Sequence, residues 1–270
     1  MFKPVKLGYR IFRFCGDGTP PKTPIVLLRG LGRSSGFWLE FAPMLSKHAD
    51  VVCVDLLGTG LSPSPWGRGR IQQLAKDVSH TLDDLGYSAL FLVGISLGGM
   101  VALEVARLSQ AVRKVAVLAS SSRGSGPRIR PRALAQLLWS LRKGTPSNAE
   151  LASFLVSSKT LHHRPDLPAI WDRLWESEGF ATLPVIRQLL AAALYDARPV
   201  LADLNKPTLF MVSKDDALVP WQRTVDMWEA MRSQKRKLVT LEEFGHDFPT
   251  EAPQVVIEHL VDFFHGHDEN

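Results

Sequence analysis

The stretch that decides the fold is ALFLVGISLGGMVALEVARL, Ala89 to Leu108. Its opening ALFLV is a continuous apolar run of strand length, and from Leu97 onward the apolar residues fit a helix. Between the two lies Gly94-Ile95-Ser96-Leu97-Gly98, followed by Gly99. A plain turn needs no serine there, and a helix would sooner use it as a cap. In a G-x-S-x-G turn the serine backbone is strained, and the glycines let strand and helix approach closely because they lack a Cβ. That geometry lifts the hydroxyl above the sheet and aims the helix N-terminus at whatever it attacks. The five-residue pattern alone is weak; its place on a strand–turn–helix makes it informative.

The flanking sequence repeats the same alternation. PIVLLRG (24–30), VVCVDLLG (51–58) and VRKVAVLAS (112–120) read as buried strands, and residues 5–14 as an entering strand or hairpin turned by GDGTPP (16–21). FWLEFAPMLSK (37–47) reads as a helix that Pro43 interrupts or bends. RIQQLAKDVSHTLDDLG (70–86) carries a helical stripe at Ile71, Leu74, Val78, Leu82 and Leu85, ended by Gly86. Residues 121–200 break the rhythm with several helical patterns and no strand-like run. It resumes with PTLFMVS (207–213), WQRTVDMWEAM (221–231), KLVTLEE (237–243) and APQVVIEHLVDFF (252–264). The expectation is an α/β core from residues 1–120 and 201–270, with a mostly parallel sheet and helices on both faces. Residues 121–200 form a helical insert carried on it.

Bulk properties narrow the function. The chain has 270 residues, is 45% hydrophobic and 22% charged, and shows no repeat or low-complexity tract, so it reads as globular. The N-terminus lacks a secretory apolar core, and no apolar span is long enough to cross a bilayer, so a cytoplasmic protein is expected. Cys15 and Cys53 have no metal-ligand spacing, and Cys53 reads as a small apolar residue within a strand. The net charge of +5 comes without nucleic-acid recognition motifs. It is concentrated in one place: Arg123, Arg128, Arg130, Arg132, Arg142 and Lys143 occur with no acid between them. The stretch 123–143 reads either as a solvated face or as a landing surface for an acidic partner, such as a carrier protein.

A serine hydroxyl needs a base. Of eight histidines, only His246, in EEFGHDFPTEAP, lies in a glycine-bearing loop after a late strand. The base needs an orienting acid. The loop after PTLFMVS supplies Asp215 and Asp216; Asp216, before the turn Ala217-Leu218-Val219-Pro220, is the stronger candidate and Asp215 the alternative. The loop after VRKVAVLAS offers only serines.

With these residues in view, the chain resembles the α/β-hydrolase superfamily, of the lid-bearing serine esterase type. The similarity covers nearly everything outside 121–200. It rests on GISLGG, LLRGLGRSSGFW (27–38), VVCVDLLGTGLS (51–62), LNKPTLFMVSKDDALVP (204–220) and FGHDFPTEAP (244–253), with the order Ser96, Asp216, His246. The resemblance implies a helical lid inserted after the sixth strand. It also implies an oxyanion hole from the backbone N–H groups of Leu31 and Leu97, and a structural turn at Asp55. Three departures stand out: Arg29 where the family usually has histidine, Ser213 where glycine is frequent, and Thr59 where His, Arg or Phe is commoner. With Arg29, the oxyanion turn is either braced differently or faces a negative group.

The implied reaction is hydrolysis of a carboxylic ester or thioester through an acyl-enzyme, with no metal or organic cofactor. Serine at the elbow disfavours the aspartate-dependent dehalogenases and epoxide hydrolases of this fold. A carrier-protein or coenzyme A thioesterase or esterase, a carbon–carbon bond hydrolase and a cofactor-free perhydrolase remain on the same triad. A non-catalytic ligand-binding protein of this fold is the reading from another class. Trp139, Trp171 and Trp175 in the insert either line an apolar acyl chamber or glue the insert to the core.

Overall fold

A computed structural model describes residues 3–19, 21–64, 69–124, 126–142, 147–179 and 181–266. Lys143 of the basic stretch lies outside them. In chain order the elements are β1 (Tyr9–Phe12), β2 (Ile25–Leu28), α1 (Phe41–Leu45), β3 (Val51–Val54), α2 (Ile71–Asp84), β4 (Leu90–Ile95), α3 (Leu97–Leu108) and β5 (Val112–Leu118). Six helices follow: α4 (Pro131–Arg142), α5 (Asn148–Leu155), α6 (Ser158–His163), α7 (Leu167–Glu178), α8 (Thr182–Leu194) and α9 (Arg198–Asp203). The chain ends with β6 (Thr208–Ser213), α10 (Gln222–Ala230), β7 (Arg236–Leu241), α11 (Phe248–Glu251) and α12 (Pro253–His265).

The strands form one seven-stranded sheet in the order β1-β3-β2-β4-β5-β6-β7. Only β1 runs antiparallel, against β3; the other pairs are parallel. Strands buried on both faces read as unbroken apolar runs, which is why IVLL, VVCV and LFLV carry no polar alternation. Val26, Leu28, Val52 and Leu92 pack on one face with α2, α3, α9 and α10. Ile25, Leu27, Val51, Cys53 and Val93 pack on the other with α1 and α12. Burial pushes the Cys53 thiol up, so it behaves as an apolar residue.

Two expectations shift. The N-terminal stretch contributes one strand and not a hairpin, so the helical segment follows the fifth strand of this sheet and not the sixth. The interruption in 37–47 falls ahead of Pro43: a 3₁₀ turn at Ser35–Trp38 ends at Leu39 (φ 44°), and α1 begins at Phe41. Pro43 is the third residue of α1, within the first turn, where a backbone N–H has no helical partner to lose. No described helix is long and apolar enough to cross a membrane.

A third apolar cluster lies between the helical segment and the 3₁₀ turn: Phe37, Ala152, Val156, Leu167 and Trp171. The basic stretch is partly turned inward. Arg128 donates to the carbonyls of Ala192 and Tyr195, closing the end of α8. Arg130 Nε donates to Asp216 O at 2.9 Å, tying the entry of the segment to the loop after β6.

Candidate active site

In an open parallel sheet the loops at the carboxyl ends of the strands form the crevice where ligands bind. Here Gly30 follows β2, Ser96 follows β4, Asp216 follows β6 and His246 follows β7. Ser96 has φ 58° and ψ −120°, a left-handed conformation unusual for a residue with a side chain. Its backbone is held on both sides. Its N–H donates to Leu118 O (2.8 Å), while its carbonyl accepts from Gly99 N (3.0 Å) and Ser120 Oγ (2.7 Å). The glycines have a steric reason: a Cβ on Gly94 would lie 2.2 Å from Gly98 O, and one on Gly98 would lie 2.3 Å from Leu28 O. No larger residue fits where the elbow crosses its own helix and the neighbouring strand.

Asp216 is 2% exposed and places Oδ2 2.7 Å from His246 Nδ1. Its Oδ1 accepts from the N–H groups of Leu218 and Val219, both at 2.8 Å, so the turn before Pro220 aims the carboxylate at the imidazole. The competing acid is elsewhere: Asp215 is exposed and accepts from Glu243 N. Ser213 closes the same end of the sheet, its hydroxyl donating to Phe244 O just before the histidine. Among the described residues the Ser96 hydroxyl makes no hydrogen bond to His246, although both face one cavity. Such contacts are often long without substrate and tighten with it. No described residue accepts from the N–H of Leu31 or of Leu97.

The cavity has about 810 Å³ of space, including its open mouth. Gly30, Leu31, Arg33, Ser96 and His246 form its floor, and Ala133, Leu137, Leu151, Phe154, Trp175 and Val185 of the helical segment line it with them. Of the three tryptophans considered above, only Trp175 lines it. Trp171 is fully buried within the third cluster, and Trp139 is half exposed.

The helical segment also holds the turn after β2. Gly32 N–H donates to Gln188 Oε1 at 2.9 Å, and Gly32 O accepts from Trp175 Nε1 at 3.1 Å. Gln188 Nε2 donates in turn to Leu57 O (3.1 Å). The neighbouring Leu31 amide is therefore oriented from α7 and α8. Gln188→Ala is expected to lower kcat for an acyl substrate by about 10- to 100-fold, since a displacement near 1 Å costs that much. KM should change little; steady-state kinetics would check this, and an unchanged kcat would count against the positioning role.

Arg29 resolves the open question about its position. It is 2% exposed and pairs in two parallel hydrogen bonds with Asp247, Nη1 to Oδ1 at 2.9 Å and Nη2 to Oδ2 at 2.6 Å. Its guanidinium also lies 4.7 Å from the centre of the Trp38 ring. The fork ties the turn after β2 to the residue after His246. Burial opposes the Asp247 charge, but Arg29, through its charge and hydrogen bonds, with Arg33 and His246, outweighs it and holds the carboxyl below the ordinary range. Asp247 N–H donates to Leu155 O (2.7 Å), and Glu251 accepts from Ser157 N–H and both hydroxyls of Ser157 and Thr160, so α5 and α6 grip the histidine loop. Arg33, Gln188, Asp247 and Glu251 escaped sequence reasoning. The one available signal was an arginine ending the apolar run PIVLL.

Residues 23–253 match the family model described as alpha/beta hydrolase fold. The chain belongs to the α/β-hydrolase fold family. Among curated α/β-hydrolase relatives, "Putative carbamate hydrolase RutD" of Pseudomonas savastanoi pv. phaseolicola is 29% identical over 250 residues, covering 90% of this chain and 93% of that protein. Among solved α/β-hydrolase structures, the enol-lactonase of Burkholderia xenovorans LB400 superposes with a TM-score of 0.79 at 22% identity, covering 96% of both chains. A thermophilic esterase from Thermogutta terrifontis gives 0.77 at 20% identity, covering 96% of this chain and 92% of that one.

Proposed function

We propose that this α/β-hydrolase is a serine hydrolase that cleaves carboxylic esters, thioesters included, through an acyl-enzyme on Ser96. The observation that carries the reading is the meeting of Ser96 and His246 in one apolar cavity, with Asp216 2.7 Å behind the imidazole. Ser96 Oγ attacks the acyl carbonyl while His246 takes its proton, and Asp216 fixes the tautomer and stabilises the imidazolium. The oxyanion is received by the N–H groups of Leu31 and Leu97 and by the positive end of α3. The leaving alcohol or thiol takes the proton from His246. Water, deprotonated by the same histidine, then attacks the acyl-enzyme and releases the acid. Residues 121–200 act as the lid, supplying the apolar wall that excludes bulk water.

The relatives' names, a carbamate hydrolase and an enol-lactonase, support acyl chemistry and widen the set to be assayed. The test is an acyl-length series of p-nitrophenyl esters, thioesters, carbamates and lactones, run beside labelling by a fluorophosphonate probe with the modified residue identified by mass spectrometry. Turnover of esters with modification at Ser96 is expected. Absence of labelling and of turnover across the series would overturn the reading in favour of a binding protein.

A further inference from the structure

The charged groups lining the cavity are hydrogen-bonded to one another except for one. Asp216 faces His246, and Asp247 is engaged by Arg29. Arg33 is 7% exposed and lines the cavity alongside Ser96. Its guanidinium is fixed in place, 4.2 Å from the ring centre of Trp171 and 4.5 Å from that of Phe37. Its Nη2 donates to Asn148 Oδ1 at 3.3 Å, a neutral acceptor whose own Nδ2 donates to Asp172 (3.0 Å). Its Nη1 is buried and has no acceptor among the described residues. A charge in an apolar chamber is costly without a partner. Burial pulls this guanidinium down to about 9, with Asp247 opposing and Arg29 adding to the effect, so it still carries its charge at neutral pH. Two buried arginines and one neighbouring carboxylate leave a place for one negative charge.

Resting on the hydrolase reading above, we infer that Arg33 receives a carboxylate borne by the substrate, so that the preferred substrates are monoanionic: half-esters or equivalent acyl compounds with a free carboxyl group. An otherwise apolar wall suits a hydrocarbon spacer between that carboxylate and the reacting carbonyl. Arg33 is then the residue that determines specificity, through its positive charge and a charge-assisted hydrogen bond from the guanidinium.

The test compares monomethyl esters of dicarboxylic acids, from succinate to suberate, with the primary amides of the same half-esters, which keep shape and lose charge. For wild type, kcat/KM is expected to favour the acid by about 10- to 100-fold at the chain length that spans the site. In Arg33→Met the preference should fall to near one, and Arg33→Lys should restore part of it. A role confined to packing would lower both members of each pair together. A ratio near one at every length in wild type, or a preference that survives Arg33→Met, overturns the inference. If no ester is hydrolysed, calorimetric titration of wild type with the free dicarboxylates decides: saturable binding supports it and none refutes it. Labelling of Ser96 by the fluorophosphonate reports separately on the hydrolase reading.

Discussion

Ser96→Ala is expected to lower turnover of acyl substrates by about 10⁴- to 10⁶-fold, the range seen when a member of a catalytic unit is removed. The fold should be unaffected. The Ser96 side chain makes no hydrogen bond among the described residues, and alanine keeps the Cβ that packs on Gly30. The strained φ is imposed by backbone bonds to Leu118, Gly99 and Ser120 that alanine retains. Thermal unfolding should therefore stay close to wild type while single-turnover kinetics lose the acylation phase. His246→Ala should cost a similar factor, and the double variant little more, because the two groups act in one step. Wild-type turnover by purified Ser96→Ala would show that the nucleophile lies elsewhere.

The largest effect on stability is expected from Asp247→Asn. The substitution keeps the shape but removes the negative charge that both Arg29 and Arg33 use. Breaking a buried pair on one side costs about 3–5 kcal/mol, because the remaining charge is left in low dielectric. For a chain of this size that is a fall in Tm of roughly 6–20 °C. The effect depends on pH with a definite sign. The Asp247 carboxyl is held below its unfolded value, so its contribution is complete above about pH 4, where the unfolded carboxyl is ionised. It is lost as the pH falls through the lower folded value. Denaturant unfolding of the two proteins should thus differ fully at pH 7 and converge in strong acid. Replacing both partners, as Arg29→Met with Asp247→Leu, should recover part of the loss, as apolar pairs of similar volume often do. A gap between wild type and Asp247→Asn that is unchanged below pH 4, or none at pH 7, would remove the pair from any structural role.

Much of the fold was legible because its signals are local. The unbroken apolar runs at Ile25–Leu28, Val51–Val54 and Leu90–Val93 announce strands covered on both faces, and each became one. The stripe from Ile71 to Leu85 and the stop at Gly86 (φ 75°) describe α2 almost to the residue. The break in 37–47 was misplaced because a proline is tolerated in the first helical turn, so its presence does not say where the helix stops.

At the candidate site, the sequence marks residues whose identity depends on their own turn: the serine between glycines, the aspartate before Ala-Leu-Val-Pro, the histidine after glycine. Tertiary structure alone decided the pairing of Arg29 with Asp247, 218 residues apart, the clasp of Gln188 and Trp175 on Gly32, and the burial of Arg33 with its Nη1 unpartnered among the described residues. The physical reason is range. Periodicity and backbone strain act over a few residues and leave a mark in order. The partner of a buried charge depends instead on which strand ends and which helices meet above the sheet, a property of the folded chain and not of any segment in it.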